Sequence, residues 1–102
     1  MKIRFSPRAQ QRARHIKTWW LKNRPGIEVF EQEFDQLMDR LASMSPRSPL
    51  GVVADSMKHG KKIWRVLLPR AQQHVFYSVD EQNDTVIVRT IWGAQRGRRP
   101  KF

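Results

Sequence analysis

Ile27, Phe30, Phe34, Leu37 and Leu41 recur at steps of three, four, three and four, and Met38 widens the stripe. Large side chains at that spacing share one face of an α-helix. No other segment constrains the fold as tightly, because such a face must be covered by another layer. Upstream, Ala9, Ala13, Ile16 and Trp20 fall at steps of four, three and four, while Arg8, Arg12 and Arg14 point elsewhere. Ser6-Pro7 reads as an N-cap followed by proline at the first helical position. Pro25 restricts Arg24, so this first helix ends near Asn23, and Pro25-Gly26 opens the second. A break of about four residues implies an antiparallel helix hairpin. Ser45-Pro46-Arg47-Ser48-Pro49 ends the second helix.

The remainder reads as strand. Met1, Ile3 and Phe5 alternate with Lys2 and Arg4, the period of a half-buried strand. Gly51-Val52-Val53-Ala54 is short. Ile63–Leu68 and His74–Val79 are β-branched and aromatic, joined by Pro69-Arg70-Ala71-Gln72-Gln73, and a polar turn over residues 80–84 leads to Thr85–Trp92. Consecutive strands with short connections imply an antiparallel meander. The expected fold is α+β: an antiparallel sheet of four to five strands, including an N-terminal strand, with the helix hairpin packed on one face. The other face is then left partly open.

Alternation assigns residues to those faces. Trp64, Val66 and Leu68 form one set, and Ile63, Arg65 and Leu67 the other. On the last strand Ile87, Arg89 and Ile91 oppose Val86, Val88, Thr90 and Trp92. Each strand thus sets one arginine among apolar neighbours, where a charge is costly unless solvated or paired. Either the arginine lines an open groove, or it meets a carboxylate within the fold, which is the commoner arrangement. Past Ile91 the chain continues Trp92-Gly93-Ala94-Gln95-Arg96-Gly97-Arg98-Arg99-Pro100-Lys101-Phe102, with four basic groups and no acid. Guanidinium groups fixed at the edge of a sheet suit phosphate or carboxylate.

The 102 residues suit one domain spanning 1–102. Twenty Lys and Arg against nine Asp and Glu leave a formal charge of +11, which favours polyanionic partners. The charge is uneven. Residues 1–27 hold eight basic residues and no acid, whereas residues 28–39 hold five of the nine acids. Those acids are single residues on a solvated helix face. There is no cysteine, which excludes disulfides and thiolate metal sites and suits a reducing, cytoplasmic setting. No apolar stretch approaches the ~20 residues needed to span a bilayer, and residues 1–5 do not form a signal peptide's apolar run. His15, His59 and His74 lack metal-ligand spacing, no glycine-rich phosphate loop is present, and no cofactor is implied.

Several segments, in their order and spacing, carry a resemblance. Phe5-Ser6-Pro7-Arg8-Ala9, Trp19-Trp20-Leu21-Lys22-Asn23-Arg24-Pro25, His74-Val75-Phe76-Tyr77-Ser78-Val79-Asp80 and Ile91–Pro100 together resemble the RelE/ParE superfamily of bacterial type II toxin–antitoxin toxins, over nearly the whole chain. The resemblance implies a small basic, cytoplasmic toxin neutralised by a cognate antitoxin that is usually acidic. Within the family, the RelE branch cuts mRNA in the ribosomal A site and the ParE branch poisons DNA gyrase. The Trp-Trp-x-x-Asn-Arg-Pro turn is ParE-like and favours gyrase. Target contacts are then expected from Arg65, Arg89, Trp92, Arg96, Arg98, Arg99 and Lys101, and antitoxin contacts from Trp19, Arg96 and Arg98.

The alternative is a ribosome-dependent mRNA endoribonuclease using Arg65, His74 and Arg96. Attack by a 2′-hydroxyl needs a base, a cation for the phosphate and an acid for the leaving oxygen. His74 stands where mRNA-cleaving relatives usually carry arginine, and it can serve as base or acid near neutral pH. Phe102 falls near their C-terminal tyrosine and has no proton to give. Tyr77, the sole tyrosine, reads as a core residue with a tethered hydroxyl. A second alternative is a basic nucleic-acid-binding module without toxicity.

Overall fold

The computed structural model describes residues 1–23, 28–56, 61–94, 100 and 102. The first helix, α1 (Pro7–Asn23), begins as the sequence dictates: Ser6 Oγ accepts the Ala9 N–H at 3.1 Å. The same hydroxyl donates to the Arg89 carbonyl at 2.7 Å, so the cap also fastens the helix to the sheet. The second helix, α2 (Val29–Ala42), buries Val29, Phe30, Leu37 and Leu41; Ile27 and the proline turn lie outside the described residues. Each such side chain contributes about 1.5–3 kcal/mol when fully buried. An ion pair between Lys17 and Glu31, 2.7 Å, joins the two helices.

Five strands follow the expected segments: β1 (Lys2–Phe5), β2 (Val52–Ser56), β3 (Lys62–Leu68), β4 (Gln73–Asp80) and β5 (Thr85–Gly93). Their order across the sheet is β1-β5-β4-β3-β2. β2 to β5 form the antiparallel meander, but β1 pairs parallel with β5. The sheet is therefore mixed where an antiparallel one was expected. Two antiparallel helices return the chain to the end of the sheet where β1 stopped. β2 must then run back against β1, which sets β3 and β5 parallel to it.

One core lies between helices and sheet. Ala9, Ile16, Phe30, Leu37 and Leu41 pack against Val75, Tyr77, Val86, Val88 and Ile91. Tyr77 is fully buried there, and its hydroxyl donates to the Leu50 carbonyl at 2.6 Å, as a tethered core tyrosine should. Gly51, next in sequence, has φ +82°, and a Cβ there would lie 2.1 Å from the Arg65 carbonyl oxygen. Only glycine lets the chain enter β2 so close to β3. Among the described residues no helix is long and apolar enough to cross a membrane.

Candidate functional site

The helices cover one side of the sheet, and strand register decides what the other side presents. Paired residues of neighbouring strands share a side. Arg65 pairs with Phe76, Leu67 with His74, and Phe76 with Thr90. Between Phe76 and Tyr77 the register slips: Tyr77 pairs with Val88, so β5 carries one extra residue, Arg89. Such a bulge re-aims the strand and alters which side its later residues occupy. Val88 and Ile91 both reach the helix-side core, while Thr90 and Trp92 join the open side. This corrects strict alternation, which put Ile91 with Arg89 and Thr90 with Val88.

The open side thus gathers Arg65 on β3, His74 and Phe76 on β4, and Arg89 at the bulge of β5. Arg65 is exposed and Arg89 half-buried. His74 packs edge-on to Phe76, with centroids 6.2 Å apart, and Phe76 is covered by the Phe102 ring at 5.1 Å. Arg89 Nη2 donates to the Phe102 main-chain oxygen at 3.3 Å. Among the described residues Arg65 meets no carboxylate, whereas Arg89 is held by the Phe102 main-chain oxygen, so only Arg65 departs from the paired arrangement expected for strand arginines. The two cations flank an aromatic strip; Arg65 is exposed to an anion, and Arg89 Nη2 is occupied by the Phe102 oxygen.

His74 takes its character from this neighbourhood. Burial, and then the nearby Arg65 charge, hold its imidazole below the ordinary histidine range. Both effects disfavour the cation. Its Nδ1 is buried with no hydrogen-bond partner among the described residues, so Nε2 is the nitrogen that can face a ligand. A neutral imidazole beside the Arg65 guanidinium is a proton acceptor next to a cation suited to an anion.

Other expected residues fare differently. Arg96, Arg98, Arg99 and Lys101 lie outside the described residues, as does His59. Trp92 is half-buried, with the Arg12 guanidinium 5.6 Å from its ring centroid. Arg12 does not point away from the fold: its Nε donates to the Ile91 carbonyl at 3.0 Å, on the stretch of β5 that β1 leaves unpaired. Trp19 is 49% exposed and lines a cleft on the helix side. Tyr77 faces the helices and is no part of the open side. The solvated reading of the α2 acids also needs correction. Glu33 is half-buried, and its carboxylate accepts the Ala71 N–H at 2.6 Å and the Arg70 N–H at 3.1 Å. Nothing in the helical period marks Glu33 or Arg12, because their partners lie 37 to 79 residues away. Among the described residues no cluster of His, Asp or Glu is arranged to hold a metal ion.

No protein-family profile matches the chain, and no curated protein does. Solved structures share its architecture. The isolated E. coli RelE toxin aligns with a TM-score of 0.57 and 22% identity, over 94% of this chain and 86% of that one. The intact E. coli RelBE toxin-antitoxin complex aligns with a TM-score of 0.57 and 20% identity, over 93% of this chain and 98% of the matched chain. What this chain has in common with both is the fold: a five-stranded mixed sheet with two helices on one side, the RelE-like α+β architecture.

Proposed function

We propose that this chain is the toxin of a toxin–antitoxin pair and that it cleaves RNA, with ribosome-bound mRNA as substrate. The observation that carries the proposal is the convergence of Arg65, His74 and Arg89 on the sheet side that the helices leave uncovered. The RelE-like fold supports it, and so does the charge of +11. The gyrase target suggested by the Trp-Trp-x-x-Asn-Arg-Pro turn gains no such support. Trp19 and Trp20 line a cleft on the opposite side of the sheet from the arginines, and both structures named above contain RelE.

The chemistry is internal transesterification. Neutral His74 accepts the 2′-hydroxyl proton at Nε2, and the 2′-oxygen attacks the adjacent phosphorus. Arg65 and Arg89 carry the charge that builds on the non-bridging oxygens. The bond from phosphorus to the 5′-oxygen breaks, leaving a 2′,3′-cyclic phosphate, and water supplies the proton to the departing oxygen. Arg89 exchanges the Phe102 main-chain oxygen for a phosphate oxygen.

The test is to induce the chain alone and map mRNA ends by primer extension, with the His74→Ala variant alongside. Rapid mRNA cleavage that His74→Ala lowers by about 100-fold or more is expected for a positioned base. Normal cleavage by that variant rejects the histidine's role. Intact mRNA together with inhibited gyrase supercoiling restores the gyrase reading.

A further inference from the structure

A second surface of the molecule has no part in the chemistry on the open side of the sheet. On the helix side, α1 and the turn between β3 and β4 enclose a cleft of about 700 Å3, a volume that suits a small molecule. Arg12, His15, Ile16, Trp19 and Trp20 form one wall of it. They recur at steps of three, one, three and one, so they share one face of α1. The face is divided along its length. Basic groups stand toward its N-terminal end, two indoles toward its C-terminal end, and Ile16 is buried between them. Arg70 belongs to the facing turn and is exposed. That turn is fixed by Glu33, whose carboxylate accepts the Arg70 and Ala71 amides. Arg12 is held on the Ile91 carbonyl and lies against the Trp92 ring. Among the described residues no carboxylate lines the cleft.

We propose that this cleft binds a purine mononucleotide, with the base against Trp19 and the phosphate against Arg70 and His15. The inference goes beyond the RNA-cleavage reading and does not depend on it. Spacing along α1 carries it. His15 and Arg12 precede Trp19 by four and seven residues, about 6 and 10 Å of helical rise. A nucleobase and its own 5′-phosphate span that separation. Trp19 is 49% exposed and meets Trp20 edge-to-face, at 82° with centroids 5.3 Å apart. The contact steadies the indole and leaves it surface on which a base can stack, and a bicyclic purine matches its area. The Arg70 guanidinium offers paired donors to two phosphate oxygens. Arg12 keeps its bond to Ile91 and adds a fixed positive charge. A phosphate monoester carries close to two charges near neutral pH, where a phosphate inside an RNA strand carries one. Three basic groups without an acid therefore favour a free nucleotide over the interior of a strand.

The test is isothermal titration calorimetry of the full chain with adenosine 5′-monophosphate at low salt. Adenosine, inorganic phosphate, benzoate and a short RNA without terminal phosphates form the other arms. Saturable binding with Kd below about 1 mM is expected, at least about tenfold tighter than adenosine or phosphate alone, since each makes half of the contacts. Trp19→Ala and Arg70→Gln each weaken it about tenfold. Arg70→Gln keeps the backbone N–H that Glu33 holds, so it tests the site even if Trp19→Ala fails to fold. Arg4, which alternates with core-packed Phe5, lies on the open side. Arg4→Gln therefore reports only the general pull of a +11 chain and changes affinity by less than about twofold. The proposal is overturned by no binding at about 1 mM nucleotide, by equal binding of phosphate or benzoate, or by equal weakening in Arg4→Gln and Arg70→Gln. An RNA that binds as tightly, and weakens equally in Trp19→Ala and Arg70→Gln, also overturns it. So does affinity lost in His74→Ala and kept in Arg70→Gln, which places the nucleotide on the open side. Arg70→Gln leaves RNA cleavage unchanged, so failure of the cleavage reading shows separately.

Discussion

Replacing Tyr77 by phenylalanine removes one oxygen from the centre of the core. The ring keeps its volume, so no cavity opens. The lost interaction is the 2.6 Å bond from the hydroxyl to the Leu50 carbonyl, with Met44 Sδ a weaker contact at 3.5 Å. A neutral hydrogen bond contributes about 0.5–1.5 kcal/mol net, and a buried carbonyl left without a donor costs more. Leu50 is half-buried, so water can replace part of the loss. The expected destabilisation is about 1–2 kcal/mol, or about 5–15 °C in Tm for a domain of this size. Urea denaturation followed by tryptophan fluorescence measures it as a lower midpoint at unchanged m-value. A second signature lies at alkaline pH. Burial pushes the Tyr77 phenol up to about 12, against the opposing pull of its bond to Leu50. A raised folded-state pKa means stability is fully present below pH ~10 and is lost as pH climbs through about 12. The phenylalanine variant lacks that alkaline loss. RNA cleavage by Tyr77→Phe should match wild type, because the hydroxyl faces the helices. Unchanged stability with lost cleavage would refute the reasoning, since the phenol would then be serving the reaction and not the core.

Gly51→Ala should cost at least about 2 kcal/mol, because the new Cβ meets the Arg65 carbonyl at 2.1 Å in a backbone conformation that alanine rarely adopts; a shift in urea midpoint checks it. Glu33→Ala should lose about 1.5–3 kcal/mol from two charge-assisted bonds to the Arg70 and Ala71 amides, and Glu33→Gln about half of that. Cleavage carried by His74 should hold level near pH 7 and fall only as pH drops below the ordinary histidine range, because burial and Arg65 favour the neutral ring. Removing the like charge in Arg65→Gln should move that inflection upward in the pH profile of kcat/KM. Stability has the same sign: a depressed folded-state pKa means the His74 contribution is present above pH ~6.5 and declines as pH falls below it.

Local chemistry made much of this molecule legible from its residues alone. The stripe from Phe30 to Leu41, the Ser6 cap and the alternation in β1 and β3 each depend on neighbours within a few positions. The resulting α+β order, one helix pair and a meander, follows from covering those faces. Arg65 and Arg89 were visible as candidates because a lone cation among apolar strand residues is anomalous, and His74 through the family resemblance at the start of its strand. Tertiary structure decided the rest. The parallel pairing of β1 with β5 depends on where the helix hairpin delivers the chain, which no local pattern encodes. The bulge at Arg89 moved Ile91 into the core and Thr90 and Trp92 out of it, because one extra residue inverts every later assignment in a strand. Glu33 and Arg12 found backbone partners far along the chain, and Trp19 and Arg70 came to share a cleft only when α1 was laid beside the β3–β4 turn. Period and composition set what each segment must bury; contacts between distant segments set which charges are left to act.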